Sequence, residues 1–463
     1  MFSRDQIEIQ RKKVFGEPNY MELTRPCTIS DGIVKISADE IAEYAKIFDQ
    51  YNGTLSFFIP ASGTGSRMFQ FLFEFLSDDK HENEIDAFID QLNKYSFYDS
   101  LSESIKTDIS SQKRDKKKII EYLLFENGLG FSKRPKGLIP FHRFNDLTIT
   151  AFQEHLLQGN DLKSSINEFQ FTIQKEFEDF FIQECSSIEK LLEKSINVTF
   201  SEQDPSTNSV AFNEKIKEPL VDEDGKIITR PSGHGSLLGA LNNINSELIF
   251  IKNIDNIQHF TRKDLSNTYW KVLAGILLDF KSRLCSLSVS PSLVEFEKLN
   301  EKYNLIDKSI MPVSQDQLTK LLNKPLRVCG MVKNEGQPGG GPFWVLKNGR
   351  ITKQIVEKAE ISNSSEQQGI LNSSTHFNPV MIVASPYSAF GRRIDLFEHR
   401  CDDAYIIVRK SQDGSDISYL EHPGLWNGSM CDWLTVFIEI PSSIFSPVKS
   451  ITDLMNEAHQ ELT

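Results

Sequence analysis

The fold of this chain is decided by the stretch Leu55-Ser56-Phe57-Phe58-Ile59, which continues as Pro60-Ala61-Ser62-Gly63-Thr64-Gly65-Ser66-Arg67-Met68. The apolar run predicts a buried β-strand, and the two glycines predict a turn directly after it. Gly63 and Gly65 can adopt backbone angles that other residues avoid, so the turn can direct successive N–H groups at a phosphate. Arg67 would add positive charge. Glycine pairs also occur in purely steric turns, so the rest of the chain has to decide between the two interpretations.

The turn differs from two common phosphate-binding loops. Position 68 is Met, where a Gly-x-Gly-x-x-Gly dinucleotide turn has its last glycine. The Gly-Lys-Ser/Thr ending of a P-loop is also missing. A Rossmann-type oxidoreductase is therefore disfavoured.

Composition limits the possible partners. The 463 residues carry a formal net charge of −13, with 25% charged and 39% hydrophobic residues. These proportions are ordinary for a soluble globular protein, and the length allows more than one domain. Because nucleic acids and anionic membranes attract basic surfaces, the negative charge argues against both partners.

The cysteines and the N-terminus indicate a reducing compartment. The six cysteines are scattered without a Cys-x-x-Cys pair, which fits free thiols and argues against a zinc site. The N-terminus has no apolar signal region, and no window approaches the roughly 20 apolar residues that span a bilayer. The sequence therefore predicts a cytoplasmic protein without a membrane anchor.

Short apolar segments alternate with helical patterns along the chain. We expect an N-terminal helical extension over residues 1–50, an α/β domain over 51–400 with a helical insertion at about 69–130, and a C-terminal part over 401–463. Within the insertion, the spacing of Ile85, Phe88, Ile89 and Leu92 predicts that they share one helix face. Such alternation favours a mixed, mainly parallel sheet flanked by helices. The strand candidates after Ile59 are Asn197–Phe200, Leu248–Ile251, Leu326–Val332, Val380–Val383, Ala404–Val408 and Thr435–Ile440.

Further short motifs follow the glycine loop in order. Each is short and Phe445–Ser450 is the most specific, and their common order argues against coincidence. They are Arg134-Pro135-Lys136-Gly137-Leu138, Asn197-Val198-Thr199-Phe200-Ser201-Glu202-Gln203, Asp224-Gly225-Lys226, Pro231-Ser232-Gly233-His234-Gly235, Ile251-Lys252-Asn253-Ile254-Asp255-Asn256, Val356-Glu357-Lys358-Ala359-Glu360, His376-Phe377-Asn378 and Phe445-Ser446-Pro447-Val448-Lys449-Ser450.

This series resembles the motifs of sugar-nucleotide pyrophosphorylases, in particular enzymes of the UDP-N-acetylglucosamine type. The glycine loop is similar to their Leu-Ala-(Ala/Gly)-Gly-x-Gly-Thr-Arg-(Met/Leu) signature, with Pro60 and Ser62 as departures. His234 and Lys358 are further departures. The Pro-Ala-Ser-Gly loop and the segment 330–344 also look like an uncharacterised bacterial family of unknown function. The resemblance implies a GT-A nucleotidyltransferase-like α/β fold.

The resemblance also implies a role for individual residues. Arg67, Lys136 and Asp255 would be catalytic, and Asp255 would bind Mg²⁺, a hard cation that prefers oxygen ligands. The nucleotide would contact Ala61, Ser62, Gly63, Gly65, Ser66, Gln203, Gly233, His234 and Gly235. The sugar phosphate would contact Glu357, Asn378 and Lys449.

The implied reaction joins a nucleoside triphosphate, with UTP favoured, to a sugar 1-phosphate and releases pyrophosphate. Because the second pKa of a phosphate monoester is about 6, the sugar phosphate is already a nucleophile near neutral pH. Two alternatives stay open. A GT-A glycosyltransferase would typically show an Asp-x-Asp motif where this chain has Asp255-Asn256. A non-catalytic nucleotide-sugar-binding protein would fit the departures from the motifs.

Three further segments carry structural predictions. Three glycines next to Phe343 and Trp344 predict either a mobile lid or a rigid turn. The polar run Asn363–Gln368 predicts a surface loop. The end of the chain, Ile451–Thr463, predicts a helix.

Overall fold

The computed structural model describes residues 2–163, 168–336, 340–347, 349–412 and 415–462. The chain divides into two compact units. Unit 1 comprises Met1–Leu55, Gln203–Ile251 and Tyr269–Ser442, and unit 2 comprises Ser56–Glu202, Lys252–Thr268 and Ser443–Thr463. The three-part division made from the sequence stays a prediction.

Helices and strands alternate through most of the described chain. The helices are α1 (Arg4–Phe15), α2 (Ala38–Gln50), α3 (Gln70–Asp78), α4 (Glu82–Asp90), α5 (Glu103–Ser110), α6 (Lys116–Leu124), α7 (Ala151–Leu162), α8 (Glu178–Leu192), α9 (Leu238–Asn242), α10 (Asp264–Val289), α11 (Leu293–Tyr303), α12 (Gln315–Leu322) and α13 (Ser365–Asn372). The strands are β1 (Glu22–Pro26), β2 (Thr28–Ile29), β3 (Gly32–Val34), β4 (Leu55–Pro60), β5 (Pro140–Phe144), β6 (Leu147–Thr150), β7 (Glu168–Thr172), β8 (Asn197–Ser201), β9 (Ser209–Val210), β10 (Phe212–Asn213), β11 (Thr229–Arg230), β12 (Leu248–Ile251), β13 (Leu326–Lys333), β14 (Gly341–Lys347), β15 (Arg350–Val356), β16 (His376–Phe377), β17 (Ile382–Ser385), β18 (Ile406–Gln412), β19 (Ser415–Glu421) and β20 (Leu434–Glu439).

Unit 2 is built on the parallel strands β4, β7 and β8, in that order. The first five residues of β4 are buried, as expected for a strand of a parallel sheet that is covered on both faces. Phe57 stacks on Phe169 of β7 with ring centroids 5.1 Å apart. Because parallel strands end at the same edge, the loops after these strands share one end of the sheet.

The predicted helical insertion is confirmed as α3 to α6. On α4 and just after it, the residues predicted to share one helix face are 3% exposed or less: Ile85, Phe88, Ile89 and Leu92. This period of three and four residues is the pattern of an amphipathic helix packed on a core. The insertion therefore has its own apolar packing between the glycine loop and Lys136.

Unit 1 contains a sheet with strand order β2-β3-β20-β13-β17-β12. The pairs from β2 to β13 are parallel, whereas β17 is antiparallel to both of its neighbours. Smaller antiparallel sheets have the orders β1-β14-β15 and β10-β19-β18. With helices around both units, the prediction of a mixed, mainly parallel α/β fold is confirmed.

Several local predictions differ from the structure. The N-terminal region contains β1 to β3 between its two helices, and the C-terminal region forms short 3₁₀ segments at Ile451–Met455 and Glu457–His459. Residues 365–368 begin helix α13 and are not a loop.

The glycine-rich segment 330–344 is described only in part, since residues 337–339 lie outside the described ranges. Phe343 and Trp344 are buried in strand β14, which pairs with β1 and β15. The lid interpretation is therefore wrong for this aromatic pair. Across the described ranges, the helices are too short or too polar to cross a membrane.

Candidate active site

The glycine loop lies against the Pro-Lys motif in unit 2. Gly65 N–H donates to the Arg134 carbonyl over 3.2 Å, and Lys136 N–H donates to the Gly63 carbonyl over 3.1 Å. These main-chain bonds join segments that the helical insertion separates in sequence. The predicted association of Gly63, Gly65 and Lys136 is thus present as direct contact.

Gly65 is needed for the space it leaves and not for its backbone angle. Gly65 has φ −74°, a value that other residues adopt easily, so the prediction of an unusual angle there is wrong. A Cβ on Gly65 would lie 3.3 Å from the Arg134 carbonyl oxygen, tighter than an ordinary contact. A Cβ on Gly63 would meet no atom of the described residues within 4 Å. Gly65 therefore permits close packing, while Gly63 faces open space.

The loop offers donors to an anion. Among the residues that the structure describes, the amides of Gly63 and Thr64 donate to no protein acceptor. Ser62 is held from the other side, because Gln174 Nε2 donates to its carbonyl over 2.8 Å. Ser66 Oγ lies 3.1 Å from Thr64 Oγ1 at the exposed side of the loop. Ala61 is buried and its N–H bonds to Thr172 in β7.

Two lysines share one carboxylate beside this loop. Lys136 Nζ lies 3.1 Å and Lys449 Nζ 2.9 Å from Asp255 Oδ2. Lys136 Nζ also donates to the Val448 carbonyl over 2.8 Å. The side chains of Lys136 and Asp255 are 14% and 13% exposed, whereas that of Lys449 is 59% exposed. Three residues from distant parts of the sequence therefore form one charged cluster.

Burial and neighbouring charges shift the pKa values of this cluster. Burial lowers the pKa of Lys136, and the charges of Lys449 and Arg67 act in the same direction, while Asp255 opposes them. Burial would raise the pKa of Asp255, but the two lysines outweigh it and hold that pKa below its ordinary value. Arg67 thus adds to a surplus of positive charge around one ionised carboxylate. Such a surplus attracts an anion such as phosphate.

Asp255 can offer one carboxylate oxygen to a cation. Asp255 Oδ1 has no hydrogen-bond partner within the described part of the chain, because both lysines bind Oδ2. The described residues contain no group of three His, Cys, Asp or Glu side chains arranged to hold a metal. A hard cation such as Mg²⁺ would fit if most of its ligands came from substrate phosphates and water.

Unit 1 contains a second group of predicted residues around His234. The His234 ring stacks on Trp426 with centroids 4.3 Å apart, and its Nε2 lies 3.4 Å from Glu357 Oε1. His234 Nδ1 accepts a hydrogen bond from Leu425 N–H over 3.0 Å. A neutral ring therefore carries its proton on Nε2, facing Glu357. Burial would raise the pKa of Glu357, but hydrogen bonds from His234 and Asn427 lower it.

The glycines beside His234 are required by close contacts. Gly233 has φ +69°, in the left-handed region, and a Cβ there would lie 2.6 Å from Glu421 Oε2. A Cβ on Gly235 would lie 2.2 Å from the Pro423 carbonyl oxygen. Without Cβ atoms at these two positions, the His234 loop can lie close to Glu421 and Pro423, in the segment that carries Trp426.

The remaining predicted residues of unit 1 differ in their contacts. Asn378 is 5% exposed and both of its polar side-chain atoms bond main chain, with Nδ2 donating to the Gly330 carbonyl and Oδ1 accepting from Val380 N–H. It supports the backbone around β13. Gln203 Nε2 is buried and has no hydrogen-bond partner among the described residues. Gln203 thus retains an unused donor.

Sequence reasoning missed Trp426, Asn427 and the Val448 carbonyl. Trp426 and Asn427 lie between Gly424 and Gly428, and an aromatic residue between glycines in a loop was an available signal. A main-chain carbonyl such as that of Val448 leaves no signal in the sequence.

The chain is similar to three solved structures with low sequence identity. For a uridine diphosphate N-acetylglucosamine pyrophosphorylase from Trypanosoma brucei, identity is 13% and TM-score 0.49, covering 97% of this chain and 73% of that chain. For a UDP-glucose phosphorylase from Trypanosoma brucei, identity is 11% and the TM-score 0.44, and the match covers 95% of this chain and 71% of that chain. For the inositol-1-phosphate CTP transferase from T. maritima, identity is 8% and the TM-score 0.35, and the match covers 88% of this chain and 94% of that chain.

No curated protein matches the sequence. A family described as a domain of unknown function, DUF4301, matches residues 1–460. The match spans nearly the whole chain, including all of the residues assigned to the candidate site. The protein therefore belongs to the DUF4301 family.

Proposed function

We propose that this protein is a sugar-1-phosphate nucleotidyltransferase, which forms a nucleotide-sugar and pyrophosphate from a nucleoside triphosphate and a sugar 1-phosphate. The observation that carries the proposal is the pairing of Lys136 and Lys449 on Asp255 beside the glycine loop. We favour UTP as the triphosphate because of the motif resemblance.

The charges of the cluster suit this chemistry. A sugar 1-phosphate has a second pKa of about 6 and attacks without a general base, so the protein must mainly bring two anions together and neutralise charge. We assign Gly63, Gly65 and Ser66 to the phosphate cradle and Arg67 and Lys136 to the developing charge. Groups fixed before the substrate arrives need no rearrangement during the reaction, which makes them effective.

Lys449 has a different exposure and, in our proposal, a different role. Its 59% exposed side chain is held at the cluster by Asp255, and we assign it to the phosphate of the sugar substrate. Asp255 keeps the two ammonium groups near one point despite their repulsion. We further propose that Asp255 binds Mg²⁺, which would supply additional neutralisation of phosphate charge.

We assign the base and the sugar to further residues, following the motif resemblance. Gln203 has a buried amide donor without a partner in the described chain, and uracil presents carbonyl acceptors. Gly233, His234 and Gly235 would meet the nucleotide, and Glu357 the sugar. Asn378 would act indirectly, because its side chain is bonded to main chain.

The proposal is tested by incubating the full chain with Mg²⁺, each nucleoside triphosphate and a panel of sugar 1-phosphates, and measuring released pyrophosphate. We expect release only when both substrates are present. Release that needs no sugar phosphate would contradict the proposal. If nucleotide-sugars bind but no pair of substrates reacts, the protein is a binding protein. Sugar transfer from a nucleotide-sugar without pyrophosphate would identify a glycosyltransferase.

A further inference from the structure

An open cavity of about 290 Å³ lies in unit 2, between the segment that follows α6 and helix α8. None of the residues assigned to the candidate active site lines it. Its volume is near the lower end of the range for small-molecule sites. The side chains that line it include Glu126, Lys133, Arg134, Phe177, Phe180 and Glu184.

Helix α8 has two faces, and one of them lines the cavity. Phe181 and Ile188 belong to the core face and are at most 1% exposed. Phe177, Phe180 and Glu184 line the cavity, and their spacing of three and four residues places them on a second face. Phe180 is 54% exposed, and its ring centroid lies 6.3 Å from that of Phe177. These rings offer apolar contact area to a ligand.

Two cations line the cavity on the side of the segment after α6. Lys133 pairs with Glu126 over 2.9 Å. Within the part of the chain that the structure describes, the Arg134 guanidinium forms no ion pair and no hydrogen bond, and its Cζ lies 5.8 Å from the centroid of the Phe131 ring. Because a guanidinium can bind a carboxylate through two parallel hydrogen bonds, Arg134 is available to an anionic group.

Glu184 brings the opposite charge to the same cavity. Its carboxylate forms no ion pair with a cation of the described residues, Arg134 included. Its main-chain carbonyl accepts from Gln153 Nε2 over 3.2 Å, which holds this turn of α8 against α7. The two cations and the two carboxylates that line the cavity balance each other, so a ligand with one positive and one negative group fits its charges. A dianionic phosphate ester would face both carboxylates.

Main-chain hydrogen bonds fix the wall of the cavity before a ligand binds. Ser132 donates to the Leu124 carbonyl at the end of α6 through its N–H and its Oγ, over 3.0 and 2.6 Å. Gly128 lets this segment approach α6, because a Cβ there would lie 2.0 Å from the Tyr122 carbonyl oxygen. A fixed wall loses little conformational freedom when a ligand binds.

The same wall is joined to the glycine loop. Gly65 N–H donates to the Arg134 carbonyl over 3.2 Å. Thr64 and Pro135 form an antiparallel bridge next to this bond. A ligand on the Arg134 side chain therefore contacts a residue whose main chain holds the loop.

We propose that this cavity is an effector site for an α-amino acid with an aromatic side chain. The carboxylate of the amino acid binds Arg134, its ammonium group binds Glu184, and its ring packs against Phe180. Occupancy of the site changes the affinity of the glycine loop for a nucleotide, and this consequence rests on the proposed function. The binding of the amino acid does not rest on it.

The first test is saturation-transfer-difference NMR of the full chain with L-phenylalanine as the probe. A ligand of about 12 non-hydrogen atoms should bind with a Kd of about 2 mM or less. Three control compounds each lack one group: 3-phenylpropionate has no ammonium, phenethylamine no carboxylate and L-alanine no ring. Each should bind about 10-fold more weakly or worse. Absence of saturable L-phenylalanine binding up to about 20 mM, or equal binding of any control compound, would overturn the proposal.

The second test uses variants of the lining residues in the same titration. Arg134→Gln and Glu184→Gln should each weaken L-phenylalanine binding about 10- to 100-fold, the range for loss of a charged hydrogen bond. Unchanged binding in either variant would overturn the proposal. Far-UV circular dichroism verifies that each variant is folded, and the control compounds decide the matter on the parent chain if a variant is not.

A matched pair on α8 tests the aromatic contact. Phe180→Ala should weaken L-phenylalanine binding about 10-fold. Ile182 lies on the same helix, is 46% exposed and is not among the lining residues, so Ile182→Ala should leave binding unchanged. Equal effects of the two substitutions would contradict the placement of the ring.

The effector role is tested by the Kd of UTP with and without saturating L-phenylalanine. We expect this Kd to change about fivefold or more in the parent chain, the lower end of typical coupling between sites, and to stay constant in Arg134→Gln. An unchanged Kd in the parent chain would overturn the effector role. If UTP does not bind at all, the proposed function fails and the effector role fails with it, whereas the NMR titrations still decide whether the cavity binds the amino acid.

Discussion

Replacing Lys136 with methionine keeps the length of the side chain and removes its charge. Lys136 Nζ contacts Asp255 Oδ2 at 3.1 Å and is 14% exposed, so water screens it only in part. With an effective dielectric constant of about 20, one unit charge about 4 Å from another contributes about 4 kcal/mol. Since about 1.4 kcal/mol corresponds to tenfold in rate, full loss of this interaction would lower kcat by about 10³.

Two features of the cluster reduce that figure. Asp255 already shares the charge of Lys136, and Lys449 remains on the same oxygen in the variant. We therefore expect kcat for pyrophosphate release to fall by about 10²–10³, as for the loss of one fixed electrostatic group in other enzymes. The assay is initial-rate pyrophosphate release at saturating concentrations of both substrates.

Lys133 provides a matched control three residues earlier. Its ion pair with Glu126 is exposed, with side chains 68% and 73% accessible, and exposed pairs contribute little. Lys133→Met should keep kcat within about twofold. If folded Lys136→Met were as active as Lys133→Met, the assignment of Lys136 to the reacting phosphates would be refuted.

Three other predictions concern stability. The pKa of Asp255 is lower in the folded chain than its unfolded value of about 3.9, so its stabilising contribution is complete above about pH 5 and is lost as the pH falls through the folded pKa. The difference in urea-unfolding free energy between the parent chain and Asp255→Asn should therefore shrink from pH 6 to pH 2. A difference that stays constant over this range would contradict the lowered pKa of Asp255. Gly65→Ala should lower the melting temperature because its Cβ would lie 3.3 Å from the Arg134 carbonyl oxygen. Gly63→Ala should not, because no atom in the described part of the chain lies within 4 Å of its Cβ. Equal melting temperatures for the two variants would argue against the loop contact. Gly235→Ala would place a Cβ 2.2 Å from the Pro423 carbonyl oxygen and should lower the free energy of unfolding by about 1–3 kcal/mol. Gly239→Ala on α9 would place its Cβ 3.8 Å from Phe397 and should be neutral or stabilising. The opposite order of stability would be evidence against the packing of the His234 loop.

Local patterns in the sequence predicted much of the fold. The run Leu55–Ile59 and the amphipathic spacing from Ile85 to Leu92 each depend on residues close in sequence, and both predictions are confirmed. The order of short motifs suggested one site on both sides of the helical insertion, and the structure brings Gly63 and Lys136 into main-chain contact. The roles assigned to these residues stay predictions.

Predictions failed where a local signal was misread. Residues 363–368 were predicted to form a loop because they are polar, yet Ser364 caps α13 by accepting from Gln367 N–H over 3.3 Å. A Ser followed three residues later by Gln is a helix-start signal. Gln367 also bonds the Leu23 main chain through both its side-chain atoms, a distant contact that no local pattern reveals.

The site was least predictable where main chain and distant residues take part. The Val448 carbonyl binds Lys136, but a carbonyl is present at every residue. The pairing of Lys449 with Asp255 follows from the path of the C-terminal segment, whereas the motif indicated only a lysine near phosphate.

The account is tested most directly by a crystal structure of the protein with bound UTP and Mg²⁺. We predict that phosphate oxygens lie within hydrogen-bond distance of Lys136 Nζ and the Gly63 amide, with Asp255 next to the metal. A triphosphate bound away from the glycine loop, or with no contact to Lys136, would contradict the central claim.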